Sequence, residues 1–318
     1  MTVDLTAAGS SLDHQALFYA DPDEYLMVID AFVRAAAASG SAVLVAVPGK
    51  KLVRLQEALA ELGDAVRFTD LAVAGRNPGR ILPDVLAFAD AQRGRRVAIV
   101  GEPVWPGRSD LELAVCAQHE ALVNAAFAGR DATILCPYDA GVLQEAQLRD
   151  ARHAHPVLIT GGVRRPSPFY TDAVTAAAAF NRPLPVIPAW AAVLTFATVA
   201  ELSAVRGFVG RQAAAADLAP DAAEDLVAAV NELAENTILH TGAGGTLSVW
   251  PEDGRLVCQV DDTGHLTDPL AGRIPRLPTS EGGRGLLLAN QLCDLVRIHT
   301  TPAGTSIRLH MNSGAAVQ

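Results

Sequence analysis

Asn231-Glu-Leu-Ala-Glu-Asn236, then Asp261-Asp-Thr-Gly264, then Gly282-Gly-Arg-Gly-Leu286 stand in that order near the C-terminus. On a helix, Glu232 and Asn236 lie four apart and share a face, one with a carboxylate and the other with a neutral amide oxygen. That pair suits a metal-bound triphosphate. An Asp at a strand end can accept a hydrogen bond from an exocyclic amine, and closely spaced glycines let backbone N–H groups approach phosphate oxygens. Each piece alone is a common turn or helix feature. The ordered set reads as a nucleotide site.

Around this set, Asp221 to His240 has helical spacing, with Pro220 and Asp221 at its start. Thr246 to Trp250 and Leu256 to Asp261 read as a hairpin across Pro251-Glu-Asp-Gly254. A strand at Val193 to Phe196 and a helix from Val199 to about Ala216 precede them. A helix from Gly285 to Leu295 and strands at Val296 to Thr300 and Ser306 to Met311 close the sheet. This order predicts an α+β sandwich over 185–318.

Upstream, short apolar runs at Ala42 to Val47, Ala65 to Thr69, Val97 to Gly101, Ala132 to Cys136 and Pro156 to Thr160 alternate with amphipathic segments such as Glu24 to Ser39 and Leu111 to Ala128. Strands alternating with helices predict an α/β domain with a mainly parallel sheet over residues 1–160. The stretch 161–184 starts with Gly161-Gly162 and holds several arginines and prolines. It reads as a linker.

The chain has 318 residues, ample for two such domains; half are apolar, 19% charged and 5% aromatic. A net charge of −10 argues against direct nucleic-acid binding, which needs a basic face. No secretory leader and no run of about 18 apolar residues is present, so no membrane association and a cytoplasmic location are expected. Cys116, Cys136, Cys258 and Cys293 lack CxxC spacing and are expected as buried thiols. A metal centre from Cys116, His119 and Cys136 is not adopted, because helix positions and strand ends need not converge and no fourth ligand stands out.

Residues 187 to 312 resemble the GHKL-type ATPase domain, specifically the anti-sigma-factor serine kinases. The resemblance implies Glu232 as general base, Asn236 as the magnesium ligand and Asp262 with Gly264 at the adenine. It also implies Gly283, Arg284 and Gly285 at the phosphates, Thr267 to Ser280 as a short lid, and Thr305, after Gly304, as support for the adenine side. Where the family pattern has a second glycine after Asp262 and Gly264, this chain has Leu266. ATP and magnesium are the implied cofactors. A sigma factor and a STAS-type anti-anti-sigma protein are the implied partners, with the chain acting as a homodimer. The alternative is a regulator that binds ATP without catalysis and sequesters a partner.

Residues 14 to about 160 resemble the MEDS sensory domain of methanogen and methylotroph regulators, which implies a small-molecule ligand. The resemblance rests on His14-Gln-Ala-Leu-Phe-Tyr19, Gly75-Arg-Asn-Pro78, Gly101-Glu-Pro-Val-Trp-Pro-Gly-Arg108, Cys116-Ala-Gln-His-Glu120, Asn124 and Cys136-Pro-Tyr-Asp139. Glu102, Trp105, Arg108, His119, Glu120 and Tyr138 form the candidate sensory pocket, several of them at the carboxyl ends of strands where open α/β sheets place ligands. The competing expectation is that Arg108 pairs with Glu112 or Glu120 and Trp105 plugs a loop. Pro48-Gly-Lys-Lys51 is not a P-loop, since Leu44 stands where the first glycine belongs and Lys51 follows Lys50. The expected first domain is RecA-like without a functional P-loop.

Overall fold

The computed structural model describes residues 12–92, 94–274 and 284–313, and the chain divides into two compact units between Phe180 and Asn181. In the first unit β1 (Asp13–Tyr19), β2 (Ala42–Val47), β3 (Val66–Asp70), β4 (Val97–Gly101), β5 (Ala132–Asp139), β6 (Val157–Thr160) and β7 (Val163–Pro166) form one sheet. Its order is β3-β2-β4-β5-β1-β6-β7, parallel throughout except for the β6–β7 pair. The helices are α1 (Pro22–Ala38), α2 (Gly49–Ala58), α3 (Ile81–Ala91), α4 (Asp110–Ala126), α5 (Glu145–Ala154) and α6 (Ala173–Ala178).

Local chemistry explains these elements. The six residues of β2 are all buried, as a central parallel strand covered on both faces must be. Helix α1 opens on Pro22 after Asp21, whose side chain accepts from the Asp23 N–H; α4 opens on a reciprocal Ser109–Glu112 capping box. Val28, Ile29 and Phe32 of α1 pack on Val43, Val45 and Val47, each buried side chain contributing roughly 1.5–3 kcal/mol.

The linker reading of 161–184 needs correction up to Phe180. Val163 to Pro166 form the edge strand β7, and α6, started by the Asp172 side chain accepting from the Thr175 N–H, belongs to the same unit. The exposed arginines and terminal proline that suggested a connection are what an edge strand tolerates, since one side of it faces no partner strand.

The second unit has a sheet of β8 (Ala192–Phe196), β9 (Gly245–Glu252), β10 (Arg255–Asp262), β11 (Leu295–Thr301) and β12 (Gly304–Asn312). Its order is β11-β12-β10-β9-β8 with every pair antiparallel. Helices α7 (Leu202–Ala215), α8 (Pro220–Thr241) and α9 (Gly285–Leu292) share a core with it, in which Val205, Val209, Leu226, Val230 and Leu233 meet Leu247, Val249, Cys258, Val260 and Leu309. Helix α8 starts on Pro220 and stops at Gly242, whose φ of 61° is the left-handed conformation that ends a helix cheaply only with glycine. These two folds are those expected from the sequence. No helix among the described residues is long and apolar enough to cross a membrane.

Candidate functional site

In the second unit, α8, the end of β10, the turn after it and the start of α9 enclose a cleft of about 440 Å³. Asn236, Thr237 and Thr241 of α8, Asp262, Gly264 and Leu266 after the β10 end, Leu286 of α9 and Thr305 of β12 line it. Its size falls within the range of about 300–1,000 Å³ usual for small-molecule sites.

Asp262 is held from two sides: Oδ2 accepts from Thr237 Oγ1 at 2.7 Å and Oδ1 from the Gly264 N–H at 2.8 Å. Each carboxylate oxygen keeps a lone pair for a further donor, so the group is oriented yet able to accept from an exocyclic amine. A Cβ at 264 would crowd the turn, lying 3.0 Å from Thr241 Cγ2 and 3.2 Å from Asp262 Oδ1, so that one of these side chains would have to give way.

Behind this turn runs a relay of hydroxyls. The Leu266 N–H donates to Thr300 Oγ1 at 2.9 Å, Thr300 donates to Thr305 Oγ1 at 2.8 Å, and Thr305 donates to the Gly264 carbonyl at 2.7 Å. The direction of the Thr300–Thr305 bond follows from the last step, since Thr305 spends its only proton on a carbonyl. Leu266 therefore stands in a turn fixed by its own backbone N–H, and its side chain joins the apolar wall.

The N-terminus of α9 approaches α8 at Gly285, where a Cβ would stand 2.3 Å from Asn236 Nδ2 and 3.2 Å from Glu232 Cβ. A hydrogen side chain at 285 permits that approach with the Asn236 amide in place, and it sets the first turn of α9, whose N–H groups have no acceptor within the helix, beside that amide. Arg284 occupies the N-cap position of α9. Gly283 and the part of the expected lid from 275 onward lie outside the described residues. Glu232, one turn before Asn236, does not line the main cleft; it borders a shallow groove with Arg206, Asn231 and Val227.

The six expected sensory residues separate into three clusters. Arg108 is buried, donates from Nε to the Pro103 carbonyl and from Nη2 to the Gly75 carbonyl, both at 2.7 Å, and stacks on Trp105 at 3.6 Å. It also meets Glu112 at 3.4 Å. Arg108 thereby ties together the chain at Gly75 and at Pro103. Glu102, just past β4, is paired with Lys51 and accepts from Tyr25 Oη at 3.1 Å. Burial pushes its carboxyl up to about 7, even with Lys51 alongside. Lys51 is thus engaged inside the unit.

Glu120 belongs to a third group with His14, Cys136 and His155, while His119 stands 4.0 Å from its Oε1 and Tyr138 meets the His155 ring edge-on. His155, at the end of α5, carried no motif in the sequence. The cleft in this unit lined by Leu44, Thr69, Ile81 and Phe88 includes none of the six expected residues.

With this geometry, the second unit is a histidine kinase-like ATPase domain following a sensory α/β domain. Residues 195–311 match the family model described as the histidine kinase-like ATPase domain, and residues 13–156 match that of the MEDS domain, the methanogen/methylotroph, DcmR sensory domain. Among solved structures, the RsbU and RsbW domains of Rv1364c from Mycobacterium tuberculosis are similar at 22% identity and a TM-score of 0.29, over 38% of this chain and 32% of that one. The SiaB-SiaC complex from Pseudomonas aeruginosa is similar at 17% identity and a TM-score of 0.30, over 37% of this chain and 88% of that one. The chain thus spans about a third of the length of the first of these. No curated protein matches it.

Proposed function

We propose that the chain is a signal-responsive anti-sigma regulatory factor, an ATP-dependent serine/threonine kinase that acts in the cytoplasm on a STAS-type anti-anti-sigma protein and so controls a sigma factor. The observation that supports it is the convergence of Asn236, Asp262, Gly264 and Thr305 on one cleft beside the glycine-opened start of α9. The residues present fit Mg-ATP: a doubly anchored carboxylate for the adenine amine, an amide for the metal, and helix N–H groups for phosphate. Magnesium, when bound, would neutralise charge on the phosphates.

In this reading Asp262 and Thr305 hold the adenine side, Asn236 fixes the metal-bound phosphates, and Arg284 stands over the phosphate end of α9. Glu232 accepts the proton of the partner's hydroxyl as that oxygen attacks. Its place in the groove outside the adenine cleft leaves it reachable by a protein substrate. Pairing through the second unit would give the homodimer, and a ligand in the first unit would act by favouring one state of the pair.

A second reading, a non-catalytic ATP-binding regulator, is favoured by the separation of Glu232 from the main cleft. Titration of Mg-ATP into wild type and Asn236→Ala tests binding: loss of affinity in the variant supports the site, and no binding by wild type overturns it. Glu232→Gln tests catalysis. On the kinase reading it binds ATP but abolishes phosphotransfer to the partner; equal activity in variant and wild type refutes the general-base role.

A further inference from the structure

Four side chains from four elements of the first unit converge in its interior: His14 of β1, Glu120 of α4, Cys136 of β5 and His155 at the end of α5. None is more than 2% exposed, and their ligand atoms all lie within 4.8 Å of one another. The parallel register explains the convergence. Ala16 pairs with Cys136, so His14, two residues before Ala16, projects from the same face of the sheet as Cys136, and α4 covers that face, Asn124 reaching His14.

Hydrogen bonds fix how the imidazoles present themselves. Asn124 Nδ2 donates to the Ala154 carbonyl at 2.7 Å, which turns its oxygen to His14 Nδ1 at 3.1 Å. That oxygen can only accept, so His14 carries its proton on Nδ1. His155 Nδ1 faces the Ala151 carbonyl at 2.8 Å, with the same consequence. With Nδ1 so engaged, a neutral ring at either position turns its Nε2 lone pair inward. The two Nε2 atoms meet Glu120 Oε2 at 3.4 Å from His14 and 3.1 Å from His155, and the Cys136 sulfur lies 3.4 Å from His14 Nε2. Glu120 thus faces both imidazoles at ion-pair distance, yet neither of its oxygens nor His155 Nε2 meets a partner in hydrogen-bond geometry.

Lone pairs aimed at a buried carboxylate repel one another unless a proton or a metal cation lies between them. Ring N–H groups held by a carbonyl or amide oxygen, with the opposite nitrogens converging, are how metal-ligating histidines are oriented. Zinc bonds of about 2.0–2.2 Å place neighbouring tetrahedral ligands about 3.3–3.6 Å apart, close to the three spacings of 3.1–3.4 Å, while the full set of ligand atoms spans 4.8 Å and would draw in slightly around an ion.

We propose that His14, Glu120, Cys136 and His155 form a buried four-coordinate site for a divalent transition ion, zinc by its nitrogen, sulfur and oxygen donors. Four protein ligands with no access to solvent make it a closed, structural site that ties β1 and β5 to α4 and α5. The charges balance: two neutral imidazoles, one carboxylate and one thiolate against a dication. Burial keeps the free Cys136 thiol protonated, so binding releases its proton to solvent. Cys116 and His119 take no part; the Cys116 thiol instead faces the Pro103 carbonyl at 3.2 Å.

The test is the full chain expressed in minimal medium with zinc or with cobalt, followed by metal analysis and absorption spectroscopy. About one ion per chain is expected, with the visible bands of tetrahedral cobalt and a thiolate-to-cobalt charge-transfer band. Cys136→Ser should abolish the charge-transfer band, and His155→Gln should lower the ion content at least about tenfold. Cys116→Ser, a buried cysteine outside the site, should leave both unchanged. Wild type recovered folded and metal-free from either medium overturns the proposal, whatever the variants do. So does a charge-transfer band that survives Cys136→Ser.

Discussion

Gly285→Ala isolates the close approach of α9 to α8. The added Cβ would stand 2.3 Å from Asn236 Nδ2, against an ordinary contact of about 3.5–4.0 Å, so the amide must move by roughly 1 Å or more. The amide ends a flexible side chain and can move; the backbone at 285 is helical, where alanine is favoured over glycine by up to about 1 kcal/mol. The fold should therefore survive while the amide loses its place. Removing one hydrogen bond or ligand to a charged group costs about 1.5–3 kcal/mol, a loss of roughly ten- to a hundredfold in Mg-ATP affinity. Calorimetric titration reads this directly, with a thermal melt to confirm folding. Because both substitutions act on the same amide, Gly285→Ala combined with Asn236→Ala should bind no more weakly than Asn236→Ala alone. Wild-type affinity in a folded Gly285→Ala protein, or additive losses in the double variant, would refute the reasoning.

Thr305→Val cuts the hydroxyl relay, leaving the Gly264 carbonyl without its donor and Thr300 without its acceptor. The urea midpoint should fall by the equivalent of about 1–3 kcal/mol, and an unchanged midpoint would show the relay to be idle. Glu102 gives a pH signature. Its folded pKa of about 7 lies above the ordinary 4.5, so between those values the folded chain holds a proton that the unfolded chain releases. Stability should therefore fall as pH rises from 4.5 to 7, by roughly 3 kcal/mol in all, and level off above. Denaturation of Glu102→Gln across that window should lose this slope; parallel curves for variant and wild type would count against it. Arg108→Lys should destabilise the first unit by about 3 kcal/mol, because one ammonium cannot serve both the Gly75 and Pro103 carbonyls while stacked on Trp105. Stability equal to wild type would mean the clamp is dispensable.

Legibility in the sequence followed burial by apolar residues. Strands such as Ala42–Val47 and Val97–Gly101 are continuous apolar runs between turn signals, and their periodicity declares them. β1 escaped because it begins Asp-His-Gln, yet all seven of its residues are buried. Those polar groups are inside because each has a partner there: Asp13 with Arg164, Gln15 with Asp13, His14 with Asn124. Two of these three partnerships reach across more than a hundred residues and leave no local trace. The same cause hid His155, whose neighbours in space are His14 and Glu120. In the second unit, Asn236, Asp262 and Gly264, singled out by ordered motifs, and Thr305, singled out by the family resemblance, line one cleft. The separation of Glu232 from that cleft was not legible, since it depends on where α9 meets α8.

The strand order of the first unit bears on how the chain is made. β1 precedes the other described strands of this unit in the chain, yet its places in the sheet lie between β5 and β6, whose residues begin at Ala132 and Val157. More than a hundred residues must be synthesised before β1 can pair on either side. Such non-local pairing is slow, because the loop must close before any contact rewards it. Until then His14 and its neighbours wait in an open chain. The four-residue cluster, spanning 14 to 155, comes into being only when nearly the whole unit has emerged. An ion gathered there would enter as the sheet closes around it, so that cofactor supply during translation, rather than in the finished protein, would govern its loading.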